Sequence, residues 1–293
     1  MALGERDKFS GHMTTGHEWN GIKELNTPVP RAVFAFLSIA AVFAVTWTVL
    51  MPSWPGINGY FGGLLGVNQK TSVAQSVVQA AAERAPWSER IASEDFAAIQ
   101  ADPELMQTVR QTGKALFGDN CAACHGIEGT GNPGYPNIAA APTMWGQHPQ
   151  TIVETIRVGI NSAHPDTRFA QMPAFGRDQM LVRAEIDQVV TYVQSLSDPA
   201  VGVAIGPAEL QAGADLFAAN CAACHGENAK GMVDTGAPNL ADSFWTYEGD
   251  HATIRASVYN GRQGQMPTWE GRLSPTDIKL LALYVLDLRN APP

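Results

Sequence analysis

Apolar and polar positions alternate in three regimes along the chain. Residues 1–30 are polar, carry Lys23, Pro28 and Pro30, and show no sustained period. From Val33 to Met51, 19 residues then run without a charge (VFAFLSIAAVFAVTWTVLM). At about 1.5 Å per residue a helix of that length nearly crosses a ~30 Å hydrocarbon layer. Trp47 and Trp54 suit an interfacial belt at one end, and Arg31 anchors the other. A cleaved signal peptide would show a short leader and an Ala-x-Ala site. The leader here is long and the site is missing, so the span reads as a retained anchor over 31–52. Lys23 and Arg31 flank it on one side, while the other has no basic residue until Lys70. That asymmetry predicts a cytoplasmic N-terminal segment (1–30) and everything after the span outside.

Residues 53–101 open with Pro and Gly, continue into an Ala-rich, weakly helical stretch, and read as a tether. Gly62-Gly63-Leu64-Leu65-Gly66 is too short to cross again and is expected against the membrane surface or a partner. Beyond 101 the period becomes helical. Ile186, Val189, Val190, Val193 and Leu196 form one stripe, and Ile278, Leu281, Leu283, Tyr284 and Leu288 another. Ser274-Pro275 supplies an N-cap and first-turn pair for the second.

This third regime is a repeat. Asn-Cys-Ala-Ala-Cys-His-Gly occupies 120–126 and returns unchanged at 220–226. Gly113 and Phe117 precede the first copy as Gly213 and Phe217 precede the second. Pro136-Asn137, Trp145 and Gln171-Met172-Pro173 answer to Pro238-Asn239, Trp245 and Gln265-Met266-Pro267. Two homologous all-α domains are expected, at 102–198 and 207–293, joined by a linker at 199–206. The helix at 186–196 would close the first copy and that at 278–288 the second.

Cys-x-x-Cys-His is the attachment sequence of a c-type haem. Two thiols one turn apart can add to the two vinyl groups on one porphyrin edge. The next residue, His125 or His225, then offers a neutral imidazole nitrogen to iron. A redox dithiol or half a zinc site would need only the cysteines. Cys121, Cys124, Cys221 and Cys224 are the chain's four cysteines, so none is left for a disulfide. Two covalently bound haem c groups with their iron follow, attached in the same outer compartment that the anchor predicts.

Charge adds a partner class. Net charge is −9, and beyond Arg31 there are 15 basic against 24 acidic residues. This disfavours nucleic acid and suits a basic protein partner, or merely keeps the domains soluble. Among nine methionines, Met172 and Met266 repeat, each held by a following proline. Met144 faces Phe244 in the alignment of the copies, and Met232 has no counterpart. His148, His164 and His251 do not repeat and read as surface residues. The first copy also carries eight extra residues, 161–168, between Gly159 and Met172. They would either help dock the domain on a partner or form an idle loop.

Each copy resembles a class I cytochrome c. The resemblance implies Met172 as the distal ligand of the haem at Cys121, Cys124 and His125. It implies Met266 for the haem at Cys221, Cys224 and His225. It also implies that the carbonyls of Pro136 and Pro238 accept a hydrogen bond from the proximal histidines. The N-terminal third narrows the family: His17-Glu-Trp-Asn-Gly-Ile-Lys-Glu-Leu-Asn26, Pro28-Val-Pro-Arg31, one span, then Gly-Leu-Leu-Gly. With Asn20 where the family has Asp, this is similar to the membrane-anchored dihaem subunit (CcoP or FixP) of cbb3-type cytochrome c oxidases, over essentially the whole chain. That resemblance implies a single-pass protein of the bacterial inner membrane with periplasmic haem domains. Electrons would pass from a donor cytochrome c through both haems to a monohaem cytochrome c subunit. They would continue to a catalytic subunit with haem b and copper, where oxygen is reduced and protons are pumped. The chain itself would have no site for oxygen. A free-standing, membrane-tethered dihaem carrier of the c4 type is the other reading. A dihaem peroxidase or gas sensor would want an open iron site, which the repeated Met-Pro argues against.

Overall fold

The computed structural model describes residues 4–57 and 59–290. The first and last three residues of the predicted segments lie outside that range. The chain divides into two compact units, Met1–Glu83 and Arg84–Pro293.

The first unit holds an element that the polar reading of 1–30 did not anticipate. β1 (Thr14–Trp19) pairs antiparallel with β2 (Ile22–Leu25), Trp19 opposite Ile22. The two-residue connection is Asn20-Gly21, at φ 50° and 86°. Both values are positive, as a type I′ turn requires, and Asn-Gly is the sequence that accepts them most readily. α1 (Arg31–Leu50) follows, a 20-residue helix of mean hydropathy 2.3 with none of its residues buried. A short hairpin, β3 (Pro55–Gly56) with β4 (Gly59–Tyr60), turns the chain back. The Gly-Leu-Leu-Gly stretch then folds onto the end of α1. Leu64 and Leu65 N–H donate to the carbonyls of Val49 and Leu50, at 3.0 and 3.1 Å. These are carbonyls that a helix end leaves without intrahelical partners.

α2 (Gln69–Ser93) crosses the boundary between the units. The tether reading of 53–101 fails over its last part. Ile91 and Ile99 are fully buried in the core of the second unit, and Trp87 and Phe96 pack against that core. α3 (Phe96–Ala101) is capped by the Asp95 carboxylate, and α4 (Pro103–Asn120) by Asp102, which accepts from Glu104 and Leu105 N–H. After α4 come α5 (Ala122–His125), α6 (Pro149–Val158) and α7 (Arg183–Ser197). The expected linker contains its own short helix, α8 (Pro199–Ile205), with Asp198 as N-cap. α9 (Pro207–Asn220), α10 (Ala222–His225), α11 (His251–Asn260) and α12 (Pro275–Asn290) repeat the plan.

The apolar stripes are buried as their period demands, but not within their own copies. α12 packs on α4 and α6, and α7 packs on α9 and α11. A Cβ on Gly113 would stand 2.7 Å from Tyr284 Cβ. One on Gly213 would stand 2.6 Å from the Gln188 carbonyl oxygen and 2.7 Å from Tyr192 Cβ. Only glycine permits helices to cross at that range. The rings follow suit, with Phe117 5.6 Å from Tyr284 and Phe217 5.5 Å from Tyr192, centroid to centroid. Ion pairs Arg110–Asp287 (2.8 Å) and Arg255–Asp187 (2.6 Å) repeat the exchange at the surface. The helix at 186–196 therefore closes the second copy and that at 278–288 the first, the reverse of the expectation from chain order.

Candidate functional site

Each cysteine pair sits where a helix ends against its core. In α4, Leu105, Val109, Gly113 and Phe117 recur every four residues and are buried. The next turn therefore starts at a defined height beside Phe117. Cys121 N–H donates to the Phe117 carbonyl (2.7 Å), and His125 N–H to that of Cys121 (3.0 Å). The second copy reproduces this, Cys221 to Phe217 at 2.8 Å and His225 to Cys221 at 3.0 Å. Both thiols of each pair are free. Burial, then the neighbouring thiol, pushes Cys121 and Cys221 up to about 11. A redox dithiol, by contrast, is activated by a lowered thiol pKa. Thiols held protonated on one short turn fit thioether attachment instead.

The histidines are prepared as ligands. His125 Nδ1 lies 3.1 Å from the Pro136 carbonyl oxygen, and His225 Nδ1 lies 3.0 Å from that of Pro238. Burial lowers both imidazole pKa values, only partly offset by those carbonyls. The neutral tautomer that donates from Nδ1 leaves the Nε2 lone pair for iron. The proline carbonyls are thus placed as the resemblance implied.

Both methionines reach the cores, by an exchanged route. Met266 packs against the cluster that includes Phe117, Cys121 and Ala122, and Met172 against the one with Phe217, Cys221 and Ala222. Their backbones are pinned to the opposite copy. Met266 and Ile160 exchange two hydrogen bonds of 2.9 Å, and Met172 and Arg262 bonds of 2.8 and 3.2 Å. The preceding glycines make room. Gly159 (φ 71°, ψ −172°) and Gly261 (φ 71°, ψ 174°) occupy a region open essentially to glycine alone. A Cβ there would sit 2.4 Å from the Met266 carbonyl oxygen and 2.5 Å from that of Met172. Chain order paired Met172 with His125 and Met266 with His225, whereas the packing puts each methionine in the core of the other copy. The structure packs Met266 against the core that also receives Cys121, and Met172 against the core that also receives Cys221.

The extra residues 161–168 fasten this crossing. Asn161 N–H donates to the Arg168 carbonyl (2.7 Å), and Asn161 Nδ2 to the carbonyls of Ala170 (2.8 Å) and Gly264 (2.7 Å). His164, read as a surface residue, has a side chain only 10% exposed and meets Glu270, which also pairs with Arg157 at 2.9 Å. The insertion is a clasp on the other copy's methionine loop. The copies also meet at their Trp turns: Gly134 N–H donates to the Thr246 carbonyl (2.9 Å), while Gly236 lies against Trp145.

One repeated signal escaped the sequence reading. Arg168 and Arg262 each stand four residues before their methionine, so the repeat is Arg-x-x-x-Met-Pro and the eight extra residues shift to 160–167. Arg168 Nε and Thr143 Oγ1 are buried without a hydrogen-bond partner among the described residues. Two orphaned buried donors on the segments that carry Trp145 and lead into a methionine loop fit a group with acidic substituents, as a porphyrin has.

Comparison with known proteins follows the same map. The N-terminal domain of cytochrome oxidase-cbb3, FixP, matches residues 11–58. Cytochrome c matches 111–197, and cytochrome c oxidase, cbb3-type, subunit III, matches 208–285. Cytochrome c domains indicate haem c as the cofactor. The chain is 44% identical over 284 residues to the cbb3-type cytochrome c oxidase subunit FixP of Bradyrhizobium sp. (strain ORS 278), spanning 97% of each. It is 43% identical over 279 residues to the FixP subunit of Azorhizobium caulinodans, spanning 95% of this chain and 94% of that one. With the CcoP subunit of Cereibacter sphaeroides it shares 41% over 273 residues, 93% of each. With its anchor, both cysteine turns and both methionine loops inside these matches, the chain belongs to the FixP/CcoP family of cbb3-type cytochrome c oxidase subunits.

Proposed function

We propose that this chain is the membrane-anchored, two-haem electron-transfer subunit of a cbb3-type oxidase. The observation that carries the reading is the pair of cysteine turns. Each has its histidine locked to a proline carbonyl and shares its core with a methionine. One haem is held by Cys121, Cys124 and His125 with Met266. The other is held by Cys221, Cys224 and His225 with Met172. Haem c supplies one-electron chemistry when bound. The imidazole lone pairs of His125 and His225 and the soft thioethers of Met266 and Met172 would ligate the iron, and a thioether would favour its ferrous state. The packed cores around Phe117 and Phe217 fix the position of the cysteine turns.

The relay runs from a donor cytochrome c, through this chain, to a monohaem cytochrome c subunit and a catalytic subunit with haem b and copper. The basic residues on the N-terminal side of α1 support a cytoplasmic N-terminus and periplasmic haem lobes. Gentle detergent extraction on this chain, followed by reduced-minus-oxidised spectroscopy, tests the assignment. Haem b accompanying haem c in an oxygen-consuming particle is expected. A particle of one chain with haem c alone would transfer the reading to a free-standing carrier.

A further inference from the structure

The repeated arginines are not needed to bind iron, yet each is tightly placed. Arg168 Cζ lies 4.9 Å from the Trp145 ring centroid, and Arg262 Cζ lies 3.8 Å from that of Tyr247. Both rings follow the cysteine turn of the arginine's own copy. The chain changes lobes after the arginine and before the methionine. Arg168 is still paired with Gly159 and Asn161 at the end of α6, while Met172 is already bonded to Arg262. Each arginine therefore belongs to the lobe of its own cysteines, although its methionine serves the other.

Around Arg168 the polar inventory does not close. Its Nη2 makes one long bond, 3.4 Å, to the Thr151 carbonyl oxygen, and its Nε makes none. Glu154 acts on it electrostatically, but both Glu154 oxygens accept from Arg157 at 2.8 Å. Burial holds the guanidinium below its ordinary pKa despite Glu154. Thr143 Oγ1, the other unpartnered buried atom, lies on the turn that carries Trp145, closed by Gly146 N–H to the Thr143 carbonyl (3.3 Å). A guanidinium stacked on Trp145 and the hydroxyl two residues before that ring are the donor types for a carboxylate. Arg262 differs in one respect, since its Nε already donates to Ser257 Oγ at 2.9 Å.

We propose that Arg168, with the Thr143 hydroxyl, holds a propionate carboxylate of the haem at Cys121–His125, and that Arg262 holds one of the haem at Cys221–His225. The assignment rests on the two-haem reading. A cation beside the propionate offsets negative charge near iron, so its removal favours the ferric state and lowers the potential. Because Arg168 has no partner at Nε among the described residues and Arg262 has one, the first haem depends more on its arginine than the second.

The test is a spectroscopic redox titration of the detergent-purified, haem-loaded oxidase carrying R168Q, R168K, T143V or R262Q. In R168Q one of the two potentials falls by the equivalent of about tenfold in the reduced-to-oxidised ratio, ~59 mV for one electron. R168K keeps most of the wild-type potential, and T143V shifts the same haem less. R262Q shifts the other haem, also less. Both haems stay attached and methionine-ligated in all four. Two intact haems with unchanged potentials in R168Q would overturn the assignment. Where R168Q fails to accumulate, unchanged potentials in T143V would do so. A wild-type chain bearing fewer than two haems would overturn the two-haem reading instead.

Discussion

The exchange of C-terminal helices is open to a direct energetic test at Gly113. An added Cβ would meet Tyr284 Cβ, Cγ and Cδ2 at 2.7, 2.8 and 3.0 Å. Carbon atoms rest at about 3.5–4.0 Å, so α4 and α12 must separate by roughly 1 Å to admit it. Overpacking of this kind costs about 1–3 kcal/mol, against about 1 kcal/mol gained when alanine replaces glycine in a helix. Gly113→Ala should therefore destabilise by about 1 kcal/mol, which lowers Tm by ~2–4 °C in a unit of this size. Removing the Tyr284 ring removes two of the three close contacts. In a Tyr284→Ala background, where only the 2.7 Å approach to Cβ remains, Gly113→Ala should cost measurably less than in the wild type. In a Tyr192→Ala background it should cost as much as in the wild type. Thermal unfolding of the full chain in detergent, followed at the haem absorbance, gives both coupling energies, expected at about 0.5–3 kcal/mol for the contacting pair. Coupling of Gly113 to Tyr192 and not to Tyr284 would refute the exchanged packing.

Three further outcomes follow from the same geometry. In a single-haem variant lacking Cys121 and Cys124, Met172→Ala should produce high-spin ferric iron while Met266→Ala leaves it low-spin; the converse would restore the pairing read from chain order. Gly261→Ala places a side chain in a glycine-only conformation, at about 1–3 kcal/mol, and should loosen Met172, seen as loss of the methionine-to-iron absorption of the second haem. Asp102 is held below the ordinary carboxylate range, first by Leu105 N–H and then by Arg90. Its stabilisation is present above about pH 4, the unfolded value, and is lost as pH falls through the lower folded value. The Tm difference between wild type and Asp102→Asn should accordingly shrink from pH 6 to pH 3, and a constant difference would exclude the cap as its source.

Much of this protein is written in local chemistry. Two thiols and an imidazole must lie within one turn to hold a haem, so Cys121–His125 and Cys221–His225 declare themselves without any fold. The anchor is equally local, because 19 uncharged residues satisfy their own backbone as a helix. Asn20-Gly21 was legible too, as a turn between Trp19 and Ile22, but its flanks are too polar for the alternation that marks a buried strand. The arginine repeat was visible and needed only a longer comparison of the methionine loops.

Other features depend on what the folded chain brings together. Periodicity states which face of 186–196 or 278–288 is buried, and the structure agrees: Ile186, Val189, Val190, Ile278, Leu281 and Leu283 are all nearly inaccessible. It does not state against which helix. The two copies offer almost the same receiving surface, a glycine for close approach and a phenylalanine one turn on, so side-chain pattern alone cannot choose between them. The choice is made by the crossings at Gly159 and Gly261, by the clasp of residues 161–168 and by ion pairs such as Arg110–Asp287. Sequence determined which residues could hold two haems; tertiary packing decided which core receives which methionine.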